Sequence, residues 1–124
     1  MSTRPAHGLR LLAWLGSTKK DLQSLPAQVI DTFGYALYLA QAGKKHDQAK
    51  PLHGFGSAGV LEIVEDRQGN TYRAVYTVRF VAAVFVLHVF QKKAKSGIAT
   101  PKQDMKLIKE RLKAAEQVVK ELAQ

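Results

Sequence analysis

Cysteine is absent from the chain, which excludes disulfides, thiolate metal centres and cysteine nucleophiles together. Long apolar runs are absent as well. The longest, Phe80 to Leu87, falls well short of the roughly 20 residues a membrane-spanning helix needs. The opening stretch, MSTRPAHGLR, carries charge where a secretory leader needs an apolar core, so a soluble, cytoplasmic chain with no membrane partner is expected. Acidic residues are scarce: 10 stand against 19 lysines and arginines, a formal charge of +9. Ten scattered carboxylates give little material for the paired acids of glycoside chemistry. His7, His46, His53 and His88 lack the i,i+4 spacing of a helical metal motif, so no metal site and no cofactor is expected. No serine stands in a nucleophile elbow.

What remains is ample for one core. A chain of 124 residues that is 46% hydrophobic reads as a single domain over residues 1–124, with residues 1–7 a loose end. Its excess positive charge favours polyanionic partners, nucleic acid ahead of anionic membrane surfaces.

Leu9 to Leu15 is apolar apart from Arg10 and predicts a short strand stopped at Gly16. Ser17 is placed to cap a short helix through Leu25, its oxygen accepting a first-turn N–H. Pro26 opens a second helix to about Ala42, with Val29, Ile30, Phe33, Leu37 and Ala40 on one stripe. Lys44 to Gly59 reads as a polar, glycine-rich loop. Gly54, Gly56 and Gly59 fit G-x-G-x-x-G, but a dinucleotide fingerprint needs a strand before it and a helix after it, and neither is in place.

Val60 to Asp66 predicts a strand, and Arg67 to Asn70 a hairpin turn. The returning strand alternates Tyr72, Ala74, Tyr76, Val78 and Phe80 against Thr71, Arg73, Val75, Thr77 and Arg79, as a half-buried strand with its arginines on an open face. With Asp66 opposite Thr71, Val64 faces Arg73 and Glu62 lies diagonally, close enough to hold that guanidinium. Val81 to Phe90 is almost unbroken apolar, as in a central strand covered on both sides, and it delivers His88 and then Lys92, Lys93 and Lys95. Thr100, Pro101 and Gln103 predict a capping box for a last helix to Leu122, with Met105, Ile108, Leu112, Ala115, Val119 and Leu122 on its packed stripe and its lysines on a solvated face. The order is β-α-α-β-β-β-α: an α+β fold with a twisted, mainly antiparallel sheet and helices mostly on one face.

Lys50, Arg73, Lys92 and Lys93 form a concentration of cations, with His53, His88 and Tyr76 as proton carriers. Such groups can bind and cleave an RNA phosphodiester without metal, since cations stabilise charge at the phosphate while one group takes the 2′-OH proton and another protonates the leaving 5′ oxygen. Each also has an ordinary reading: a strand histidine satisfied in the core, a lysine pair at a solvated edge.

The order AKPLHGFG, GVLEIVED, NTYRAVYTVRF, VLHVFQKK and TPKQDMKLIKERL resembles the phage-derived, HigB-like branch of the RelE/ParE toxin superfamily over residues 9 to about 120. The resemblance implies a compact RelE-like fold and a toxin that cleaves mRNA, usually on the ribosome, neutralised by a separately encoded cognate antitoxin and using no small-molecule cofactor. Carried over residue by residue, it implies Arg73, Lys92, Lys93 and Lys50 as catalytic groups with Glu62 orienting; His88 joins them as a candidate. Lys44, Lys45, His53, Arg79 and Lys95 are expected to bind RNA around them. The superfamily also holds members that poison topoisomerase without cleaving RNA, so a non-catalytic module of the same fold, or a basic RNA-binding protein, is the competing expectation.

Overall fold

The computed structural model describes residues 8–92 and 100–123. Its elements run β1 (Leu11–Trp14), α1 (Thr18–Gln23), α2 (Ala27–Gln41), β2 (Lys50–Pro51), β3 (Val60–Arg67), β4 (Asn70–Thr77), β5 (Ala83–Lys92) and α3 (Lys102–Leu122). One five-stranded sheet in the order β1-β5-β4-β3-β2 is antiparallel except where β1 joins β5. The fold is α+β with a RelE-like arrangement, as expected.

Period-two alternation on either side of Gly69 gives the β3–β4 hairpin its register, with Asp66 opposite Thr71 and Val64 opposite Arg73. Gln68 and Gly69 both take positive φ, 52° and 81°, as the type I′ turn of a two-residue hairpin requires. The short β2 adds an edge strand inside the expected loop, with Lys50 opposite Glu62.

The sheet separates two apolar layers. Val29, Phe33 and Leu37 of α2 pack with Ile63, Tyr76 and Val86 on one face. Ile108, Leu112 and Ala115 of α3 pack with Val75, Phe85 and Leu87 on the other. Two of the three helices thus share a face, and α3 covers the opposite one.

Three local expectations are corrected. Ser17 donates its hydroxyl to the Asp21 carboxylate at 2.7 Å instead of capping a backbone N–H. Pro101 is itself the N-cap of α3, with no side-chain cap, so the capping box does not form. β4 stops at Thr77, and Phe80 leaves the alternation to pack in the α3 layer against Phe85.

Candidate functional site

Regular alternation along β5 would send His88, Phe90 and Lys92 to the face opposite Phe85 and Leu87. It does not, because the ladder between β4 and β5 slips: Val75 pairs with His88 but Tyr76 pairs with Val86. Leu87 is the extra residue of a β-bulge, and both Leu87 and His88 then face α3. By this device His88 and Lys92 arrive on the face that already carries Glu62 and Arg73.

That face is not open, contrary to the alternation-based reading. It is the one on which α3 packs, and Arg73 is only 4% exposed. Its Nη1 donates to Glu62 Oε2 at 3.2 Å, and Glu62 is itself buried at 6% exposure. Lys50, with its side chain 67% exposed, stands with its Nζ 4.0 Å from the other carboxylate oxygen of Glu62. Lys92 is 7% exposed. Loss of hydration lowers its pKa from the usual 10.5, the Arg73 charge lowers it further, and Glu62 and Asp104 oppose the shift.

His88 is held from both sides. Its Nε2 donates to Asp104 Oδ1 at 2.7 Å, its Nδ1 faces Arg111 Nη1 at 3.5 Å, and its ring stacks on Phe90. Arg111 Nη1 also donates to the Leu87 carbonyl at 2.8 Å, so the bulge carbonyl and the histidine share one guanidinium. Gly16 takes φ +57°, which favours glycine in the turn after β1, and a Cβ there would also displace that guanidinium. With both ring nitrogens engaged, His88 positions α3 against β5 and is poorly placed to reach a substrate.

No contact among the described residues places the remaining expected residues in this group. Lys44, Lys45 and His53 are exposed in the segments flanking β2. Arg79 is bound to Glu116 at 3.0 Å and lies over the Phe80 ring. Tyr76 is fully buried in the other apolar layer, and burial pushes its phenol up to about 12, so it is no proton carrier for this face. Lys93, Lys95 and His7 lie outside the described residues. Asp104 and Arg111 are not among the site residues expected from the sequence, although their placement four before and three after Ile108 puts both on one flank of the packed stripe.

Among the described residues no three His, Asp or Glu side chains are grouped to hold a metal ion, and no helix is long and apolar enough to cross a membrane. A family model described as phage derived protein Gp49-like (DUF891) matches residues 20–113. No curated protein and no solved structure matches the chain.

Proposed function

The chain belongs to the Gp49-like family of phage-derived proteins, a RelE-toxin-like family, and from that premise we propose that it is a HigB-like toxin of a type II toxin–antitoxin pair. It acts as a metal-independent endoribonuclease that cleaves mRNA on the ribosome and so stops translation. The observation that carries the proposal is the convergence of Arg73, Lys92 and Lys50 around Glu62 on one face, brought together from β4, β5 and β2.

In the proposed reaction the 2′-oxygen gives its proton to solvent water and attacks phosphorus, the bond to the 5′ oxygen breaks, and that oxygen gains a proton. Products are a 2′,3′-cyclic phosphate and a free 5′-hydroxyl. Lys50 is the exposed cation that a phosphate meets first. Arg73, oriented by Glu62, stabilises charge building on the phosphoryl oxygens. Lys92, whose lowered pKa brings its proton closer to working pH, supplies the proton to the leaving oxygen. His88 acts through position alone.

The deep burial of Arg73 and Lys92 favours a second reading, a non-catalytic module in which these cations serve the fold. Single-turnover cleavage of mRNA on programmed ribosomes decides between them. The wild-type chain should cleave with and without excess chelator, ribosome integrity being controlled, and Lys92→Met should slow cleavage by about 10²–10⁴-fold. The rate should fall as pH rises through a pKa below 10.5. In that same window the Lys92 contribution to stability rises with pH, because the unfolded chain binds the proton more tightly than the folded one. Loss of fold through this group therefore runs in the opposite direction to loss of the proton. No cleavage by the folded wild-type chain would favour the binding module, and chelator-sensitive cleavage would overturn the metal-free mechanism.

A further inference from the structure

All five lysines of α3, Lys102, Lys106, Lys109, Lys113 and Lys120, fall within about 60° of the helix circumference on a strip about 27 Å long. All five are exposed, and none has an ion-pair partner among the described residues. Three of the helix's four acids are turned to other work, and the fourth, Glu110, is exposed beside the strip. Asp104 accepts from His88, Glu116 pairs with Arg79, and Glu121 accepts from Gln117. Lys106 with Glu110 and Glu116 with Lys120 stand at i,i+4 spacing, yet neither closes into an ion pair among the described residues, so the five lysines hold one sign along one line.

From this segregation we infer that the α3 lysine strip is a docking surface for the phosphate backbone of a nucleic-acid duplex, separate from the proposed cleavage site. A duplex presents a charge every 1.7 Å or so of its axis, so five lysines spread along a straight helix can each reach a phosphate. A membrane surface fits less well. The apolar face of α3 is already buried through Ile108, Leu112 and Ala115, and the exposed Val118 and Leu122 lie roughly opposite the strip, so no apolar side chain beside the lysines is free to enter a bilayer. Asp104 and Arg111 occupy the flank toward β5, which separates the strip from the group around Lys92.

The test compares two charge-matched double variants, Lys106→Gln with Lys113→Gln on the strip and Lys19→Gln with Lys20→Gln on exposed α1. Each is measured for binding to 20-base-pair RNA and DNA duplexes across a salt series, with folding checked by circular dichroism. The strip variant should reduce the slope of log affinity against log salt by about 1.8, roughly 0.9 for each lost phosphate contact, while the α1 variant leaves it nearly unchanged. Either duplex giving that change sustains the inference, and a preference for RNA ties it to the proposed activity. Equal slope changes from both variants would overturn it, as would strip-dependent binding to phosphatidylglycerol vesicles with no duplex binding. The inference does not rest on cleavage: a folded Lys92→Met variant that no longer cleaves should keep the wild-type slope.

Discussion

Glu62 and Arg73 are a buried ion pair, and a buried pair is costly to break from one side. Desolvation of two charges is offset only while both are present, so Arg73→Ala should lower stability by about 3–5 kcal/mol by leaving the buried Glu62 carboxylate with Lys50 at 4.0 Å in place of its 3.2 Å guanidinium partner. Adding Glu62→Gln to that variant removes the stranded charge and should recover about 1–3 kcal/mol. Urea denaturation of the four members of the cycle measures this, and no recovery would mean that the pair is uncoupled despite its 3.2 Å contact. The same cycle separates fold from chemistry. If Arg73 acts on the phosphate as proposed, the double variant regains stability while cleavage stays down by about 10²–10³-fold.

At the scale of elements, the hairpin was legible because its alternation, its Gly69 and its length all agree on one register, and the observed partners Asp66 and Thr71 are those read from the sequence. The identities of Glu62, Arg73 and Lys92 were legible too, but their surroundings were not. Alternation identifies which side chains share a face, and it is silent on whether a later helix covers that face; α3 does. The bulge was invisible for a related reason. Val81 to Phe90 is apolar on both faces, so a one-residue slip changes no pattern, and no glycine or proline marks it. Leu87 tests this element directly. Fully buried beneath α3, it should cost about 2–5 kcal/mol on replacement by alanine. Alanine keeps the residue count, so the bulge and the placement of His88 and Lys92 persist, and the folded fraction should cleave at close to the wild-type rate. A large loss of rate in folded protein would show that the Leu87 side chain, and not the bulge, positions the site.

At the scale of the whole molecule, a formal charge of +9 on 124 residues must be managed by a partner if the chain is the proposed toxin. Expression alone should then arrest growth, and co-expression with an antitoxin, expected to be encoded in a neighbouring short reading frame, should restore growth and yield a complex that co-purifies. An unchanged growth rate and unchanged protein synthesis on expression alone would remove the main support for a toxin. The complex also distinguishes two ways of neutralising the charge. An acidic segment laid over the group at Lys50 and Lys92 abolishes cleavage and leaves the α3 strip able to bind duplex, with its steep salt dependence intact. A segment laid along α3 itself loses both together. Measuring duplex affinity and cleavage on the same complex therefore locates the partner on one cationic surface or the other, because α3 divides them: Asp104 and Arg111 face β5, and the lysine strip lies on its exposed side.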